Sequence, residues 1–250
     1  MPDWATGRAS LAGVAPFAPS ELRLEAPELL AAAERRRATA SVKLALAICA
    51  EAVHDAGAAA ELPSVFASSG GDGATIAAIL EVLATPGREV SPTRFHNSVH
   101  NAPSGYWSIA TGSRAAATSL CAYDFSFAAG LLEAVTQALV AGGRVLLAAY
   151  DTPNPPVLDA VRHIVCAFGA AFVLSAQRTP ASRAELRLAF AGEGQATSAQ
   201  EPGLEAVRLG NPAARALPLL AALAAGRRDE IYVEHAAGRL LAVGVAPLPA

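Results

Sequence analysis

The chain has 250 residues, of which 53% are hydrophobic and 16% are charged, with a formal net charge of −3 and a mean hydropathy of +0.34. The small negative charge argues against a nucleic-acid partner, and three widely spaced cysteines argue against a disulfide framework or a zinc site. So apolar a chain either buries much of its length or presents a large face to a partner.

The sequence carries no pattern that places it in a membrane or directs it to export. Its N-terminus lacks a basic region followed by an apolar run, and each apolar window of about 18 residues contains Gly, Glu, Arg or Gln. We therefore expect a cytoplasmic chain with no membrane span, a location that also suits unpaired cysteines. We expect no cofactor and no metal.

The first two thirds of the chain alternate between helical and strand patterns. In chain order we predict an irregular proline-rich stretch (1–27), a helix (27–57), a buried strand with a Gly/Ser turn (64–73), a helix (74–87), a polar loop (88–105), a strand (116–124), an apolar helix (125–143), and two apolar strands (144–151 and 166–177). Leu44 and Ile48 recur at helical spacing, Gly57 is a C-terminal stop, and Pro92 and Pro103 indicate the loop. Continuous apolar strands alternating with helices predict an α/β domain whose largely parallel sheet is covered on both faces.

The character of the chain changes after about residue 179. We predict a strand (184–195), a polar stretch (195–203), a helix (211–226) and a final hairpin (230–247). This pattern predicts a smaller unit that follows the α/β part.

Three segments together resemble the thiolase-fold β-ketoacyl synthases. They are "RRRATASVKLALAICAEAVHDAG", "VFASSGGDGA" and "SPTRFHNSVHNAPSGYWSIATGSRAAATSLCAYD", and in the last the matching anchors are Ser98, Asn101, Gly105, Ser108, Ile109 and Gly112. The resemblance covers roughly 35–178. It implies a thiolase-like α/β fold with a mixed sheet covered by helices on both faces. We divide the chain into a synthase-like half, 1–178, and a shortened half, 179–250, which completes the same domain.

The position of the family's nucleophilic cysteine does not hold a cysteine in this chain. Counted without gaps from Ser98, that position falls on Asp124, and Cys121 lies three residues upstream in the predicted strand. A nucleophile belongs where the strand ends, because the helix N-terminus there lowers its pKa. We therefore predict that no residue is catalytic, that Asp124 caps the following helix, and that Cys121 packs; an alignment gap would make Cys121 the nucleophile.

The family's two histidine motifs are also missing from the second half, which makes the chain similar to the short chain-length factors of aryl polyene clusters. That resemblance implies a heterodimer with a full-length, active ketosynthase that works with an acyl carrier protein. The predicted interface is formed by 116–124 and 92–112. The predicted interface or tunnel residues are Phe95, His96, Asn97, His100, Asn101, Tyr106, Trp107, Phe125 and Phe127. Two alternatives stay open: a minimal acyltransferase or thioesterase using Cys121 or Asp124, and a homodimeric scaffold that docks a carrier protein.

Several motifs have a plain structural interpretation beside a functional one. His96 and His100 are four residues apart, but they lack a carboxylate or cysteine nearby, so we prefer a hydrogen-bonding role to a metal site. "SSGGDG" lacks the ending of a phosphate-binding loop. The arginines at 35–37 suit a solvated helix face better than a contact with carrier protein or phosphate. The aromatic residues near the apolar helix are more often core than tunnel.

Overall fold

The computed structural model describes residues 3–19, 22–25, 27–54 and 59–249. The helices are α1 (Trp4–Leu11), α2 (Ala32–Arg37), α3 (Ala40–His54), α4 (Gly73–Leu83), α5 (Pro92–Ser98), α6 (Ala102–Thr111), α7 (Ser126–Ala141), α8 (Pro156–Asp159), α9 (Pro202–Gly210) and α10 (Leu217–Ala225). The strands are β1 (Ser64–Ala67), β2 (Ala117–Leu120), β3 (Arg144–Asp151), β4 (Phe168–Ser175), β5 (Ala184–Ala191), β6 (Asp229–Ala236) and β7 (Arg239–Pro247). Short 3-10 turns lie at Ala59–Glu61, Tyr123–Phe125 and Pro212–Ala216. The predicted stop at Gly57 lies outside the described residues.

The strands form two sheets. Sheet A has the order β2-β1-β3-β4; β1 pairs in parallel with β2 and β3, and β4 is antiparallel to β3. Sheet B has the order β5-β7-β6 and is antiparallel throughout. The mixed character of sheet A and the final hairpin of sheet B are confirmed. The predicted division at residue 178 falls in the turn between the sheets and stays a prediction, since the two sheets share a core.

Four layers follow from the burial of these elements. α3 and α6 cover one face of sheet A, where Leu46, Trp107 and Leu146 are buried together. α7 and α10 fill the space between the sheets, around Phe127 and Ile231. Each such large apolar side chain removed from water stabilises the fold by about 1.5–3 kcal/mol. The helices on both faces of sheet A therefore match the prediction.

The approach of α7 to sheet A requires a glycine. A Cβ atom placed on Gly130 would lie 2.7 Å from the Cβ of Ala67 and 3.1 Å from a methyl carbon of Leu147. The helix can lie this close to the sheet because Gly130 has no side chain. The contact fixes the end of α7 that begins at the candidate site.

Several predicted boundaries were wrong. The segment 88–105, predicted to be a loop, contains α5 and the first turn of α6. Pro92 and Pro103 lie in the first turns of these two helices, where the missing N–H of proline costs nothing. α1 lies in the stretch predicted to be irregular, and Asp3 caps it by accepting from the N–H of Thr6 at 2.7 Å. The helix predicted over 27–57 is two helices, α2 and α3, and α9 was not predicted.

The segment Tyr123–Ala141 is, by length and composition, long and apolar enough to cross a membrane, with 39% of its apolar window buried. It packs against β1, β3, β4 and β6. A helix between two sheets needs the same composition, so this property follows from its place in the core.

Candidate functional site: the elbow between β2 and α7

β2 turns into α7 through a tight elbow of five residues, 121–125. Tyr123 has φ = +53°, a left-handed conformation that residues other than glycine rarely adopt. The hydroxyl of Ser126 closes the turn: it accepts from the N–H of Ala122 at 3.0 Å and donates to the carbonyl of Tyr123 at 2.7 Å. The strand-to-helix elbow was predicted. In the structure α7 begins at Ser126, one residue after the predicted start.

Asp124 does not cap α7, so that prediction was wrong. The N-cap position of α7 is Phe125, and it makes no side-chain capping bond. Asp124 lies in the 3-10 turn and instead accepts from Nη2 of Arg162 at 2.9 Å. The guanidinium carbon of Arg162 lies 3.4 Å from the centre of the Tyr123 ring. Both contacts join residues 38 or more positions apart, which is why no local pattern in the sequence indicated them.

Cys121 lies one residue beyond the end of β2 and is exposed, so the predictions that it lies inside the strand and packs were wrong. Its thiol donates to the carbonyl of Ser69 at 3.1 Å. His100 contacts the preceding residue of the same loop, with its Nε2 3.0 Å from the carbonyl oxygen of Ser68. The hydrogen bond that the thiol makes is therefore to a peptide carbonyl and not to a base that would activate it.

A second aspartate organises the neighbouring loop. Asp151, at the end of β3, is buried, and its Oδ1 accepts from Ser68 Oγ at 3.0 Å, Ser69 N at 2.8 Å and Ser69 Oγ at 2.9 Å. Its Oδ2 accepts from the N–H of Ala213 at 3.1 Å. Burial raises the pKa of this carboxyl, and these hydrogen bonds oppose that rise. Asp151 thus joins the first sheet to the turn that leads into α10.

The "SSGGDG" loop is occupied by internal contacts. Its two serines bind Asp151, and Asp72 caps α4 by accepting from the N–H of Thr75 at 2.8 Å. A cavity of about 200 Å³ lies beside the loop, lined also by Asn154 and Arg162. These contacts make the loop a structural link between β1, β3 and α4.

The predicted interface and tunnel residues fall into two groups. Phe95 and Asn101 are exposed, and His96 lies edge-on to Tyr106 with ring centres 5.8 Å apart. Asn97 is buried and donates to the carbonyl of Arg37 at 2.8 Å, while accepting from the Tyr106 hydroxyl at 3.2 Å. The buried aromatic residues of the set are Tyr106, Trp107 and Phe127, and Phe125 is partly buried. The core interpretation holds for the buried three; the interface role of the whole set stays a prediction.

Several exposed apolar side chains lie on elements near β2, the edge strand of sheet A. Among the described residues β2 pairs only with β1; α6 contacts β2, α5 contacts α6, and α4 contacts α5. Large apolar side chains are exposed on these elements and at the elbow; this set, the edge patch, is Leu80, Leu83, Phe95, Val99, Ile109 and Tyr123. Exposed apolar side chains on elements that neighbour an edge strand are typical of a protein–protein contact.

The arginines at 35–37 lie at the end of α2, where Arg37 pairs with Glu34 at 3.3 Å. A larger cavity, of about 1990 Å³, lies along β4 and β5 beneath α1, and none of the elbow residues line it. Within the part of the chain that the structure describes, no cluster of three or more His, Cys, Asp or Glu is placed to hold a metal.

Comparison with known proteins gives a fold match over nearly the whole chain. One solved structure, a ketosynthase (ApeO) in complex with its chain length factor (ApeC) from Xenorhabdus doucetiae, has a chain similar to this one with a TM-score of 0.70 and 20% identity, over 97% of this chain and 91% of that chain. A chain of the ishigamide ketosynthase/chain length factor matches with a TM-score of 0.63 and 14% identity, over 89% and 83% of the two chains. No curated protein sequence matches significantly.

These likenesses show the fold, which is the thiolase-like mixed α/β fold of ketosynthases. Residues 9–236 match the β-ketoacyl synthase, N-terminal domain, family. The chain belongs to this family, and the predicted resemblance and fold class are confirmed.

Proposed function

We propose that this chain is a non-catalytic, chain-length-factor-like subunit that pairs with an active β-ketoacyl-carrier-protein synthase. The observation that carries the proposal is the elbow, where the family's nucleophile is expected and Asp124 forms an ion pair with Arg162. A carboxylate held by a guanidinium is a poor carrier of an acyl chain, whereas a thiolate is suited to that role. The nucleophile would then belong to the partner.

The edge patch supports a large partner surface beside the elbow. Phe95 on α5 is 67% exposed, and Ile109 is 56% exposed although its helix, α6, contacts β1 and β2 of sheet A. A free parallel strand with apolar neighbours gains both hydrogen bonds and apolar burial when a partner covers it. The similar chains come from structures described as ketosynthase and chain length factor complexes.

The setting follows from the same proposal. The complex would act in the cytoplasm on chains attached to an acyl carrier protein, in polyketide synthesis of the aryl polyene kind or in related fatty-acid-like synthesis. Because the chain would contribute surface and not chemistry, it would need neither cofactor nor metal.

A second candidate is an independent acyltransferase or thioesterase that uses Cys121, and the exposure of its thiol favours it. Incubation of the isolated chain with acyl-loaded carrier protein distinguishes this enzyme from the non-catalytic subunit. A covalent acyl adduct lost in Cys121→Ser would support the enzyme, and the absence of an adduct would support the subunit. A homodimer without a synthase partner would instead support a carrier-protein docking scaffold.

Purification of the tagged chain from its own cells, followed by native mass spectrometry, tests the proposal directly. We expect a one-to-one complex with a full-length ketosynthase. Phe95→Glu should reduce recovery of that complex at least tenfold, because it places a charge within the edge patch. Phe190→Glu is a matched control: Phe190 is 68% exposed but lies on β5 of sheet B, and its complex should assemble normally. A wild-type chain recovered alone, or equal loss in both variants, would contradict the proposal.

A further inference from the structure

We propose that the segment 192–200 is a strap that closes the outer edge of β6, and that opening the strap lets a second copy of this chain add its own β6 there. The inference goes beyond the proposed function and does not depend on it. β6 lies at one end of sheet B, and in the described part of the chain it pairs with β7 alone. A strand in that position presents a row of backbone N–H and C=O groups with which another chain can pair.

The strap crosses sheet B from one edge strand to the other. It begins after Ala191, the last residue of β5, which lies beside Leu240 of β7. An added Cβ on Gly194 would lie 3.1 Å from Cδ1 of Leu240, so the strap passes closely over the middle strand. Leu240 is buried, although it is Leu241 that belongs to the core between the sheets. Because neighbouring side chains of a strand point to opposite faces, the strap covers the outer face of the sheet at Leu240.

Thr197 makes the contact between the strap and β6. Its N–H donates to the carbonyl of Tyr232 at 2.9 Å, and its Oγ1 accepts from the N–H of Tyr232 at 2.9 Å. Tyr232 lies in the middle of β6, and both of these backbone groups point away from β7. A residue of an added antiparallel strand would exchange the same two hydrogen bonds with Tyr232. Thr197 therefore occupies the place of that residue.

The far end of the strap is anchored to α9. The N–H of Ala199 donates to Oε2 of Glu205 at 2.7 Å. Arg208, which is buried, holds the same carboxylate through Nε and Nη2, each at 2.7 Å. A two-pronged pair between a guanidinium and a carboxylate fixes the geometry of both groups. The strap is thus tied to β6 at Thr197 and to α9 at Ala199, which keeps it on the sheet.

A second copy of the chain fits the edge that the strap covers. Two β6 strands can pair antiparallel about a two-fold axis, since such a contact uses the same surface on both copies. With the axis at Val233, Tyr232 of each copy lies opposite Glu234 of the other and exchanges both backbone hydrogen bonds with it. This register also keeps Glu230 and Glu234 from facing each other, which would be unfavourable for like charges. Because Thr197 uses the same two groups of Tyr232, the strap and the second copy exclude each other.

The oligomeric state of the isolated full chain tests the proposal, measured by sedimentation velocity over a series of concentrations. Thr197→Pro removes both contacts with Tyr232, and we expect its dimer dissociation constant to be at least tenfold lower than that of the wild type. Thr197→Val keeps the shape and the N–H and loses only the Oγ1 acceptor, so its effect should be smaller. Gln195→Pro is the matched control: Gln195 is an exposed residue of the same strap, and this variant should associate as the wild type does.

A double variant identifies the edge through which the chain dimerises. In Thr197→Pro/Tyr232→Pro the outer N–H of β6 is gone while the hydrogen bonds to β7 are kept, so wild-type association should return. A dimer that persists in this variant would place the contact elsewhere and overturn the proposal.

Hydrogen exchange measures the strap itself. At concentrations where Thr197→Pro is monomeric, its Tyr232 amide should exchange at least tenfold faster than in the wild type, and in Gln195→Pro the rate should be unchanged. If Thr197→Pro does not fold, Thr197→Val carries both measurements. Wild-type association of the folded Thr197 variants, or an unchanged exchange rate at Tyr232, would overturn the proposal.

Discussion

Two aspartates near the carboxyl end of sheet A are held in opposite ways. Asp151 is 2% exposed and accepts four hydrogen bonds from neutral donors, while the Asp124 side chain is 43% exposed and pairs with a guanidinium. A buried carboxylate with several neutral donors ties separate segments together, since each donor would otherwise be left unsatisfied. An exposed ion pair contributes little stability. The contrast assigns Asp151 to the fold and Asp124 to the surface that the elbow presents.

Removal of the buried carboxylate should have the largest effect. Asp151→Ala leaves the donors of Ser68, Ser69 and Ala213 without their acceptor, and we expect a loss of about 3 kcal/mol or more in the free energy of unfolding. Asp151→Asn retains an acceptor at one atom and should lose about 1–2 kcal/mol. Urea denaturation measures both. Equal, small losses in the two variants would show that these hydrogen bonds do not join the segments.

The pH dependence of stability sharpens the comparison. Because burial raises the pKa of Asp151 in the folded chain above its ordinary value of 3.8, the folded chain binds more protons than the unfolded chain between the two pKa values. The contribution of Asp151 to stability should therefore fall as pH rises through that window. Asp151→Asn should remove this slope, which is read from the difference between wild-type and variant urea midpoints at successive pH values. A difference that is independent of pH would contradict the raised pKa.

The exposed aspartate should give the smallest change. Asp124→Ala removes one partly solvated ion pair, so we expect a loss of about 1 kcal/mol or less. The complex should assemble and keep condensing, because the proposed chemistry lies in the partner. Loss of condensation in an intact Asp124→Ala complex would show that this carboxylate takes part in the reaction.

The elements that lie in the core were predicted well because their patterns are local. The apolar strand 144–151 matches β3 residue for residue, and the apolar helix begins and ends within two residues of α7. The helices at 92–111 were missed because Pro92 and Pro103 indicate a loop, whereas proline also suits the first turn of a helix. Only the neighbouring contacts of α5 and α6 decide between the two.

The features of the candidate site also divide into those that local sequence predicts and those that depend on tertiary contacts. The sequence by itself determined the family resemblance and the elbow, and it predicts that Asp124 takes the place of the nucleophile, because these inferences depend on residue order along one segment. The tertiary structure decided what Asp124 does. Its partner, Arg162, is 38 residues away and is brought to the elbow by the path from α8 to β4. The burial that separates Asp151 from Asp124 likewise depends on which layers cover each strand end, and no local pattern carries that information.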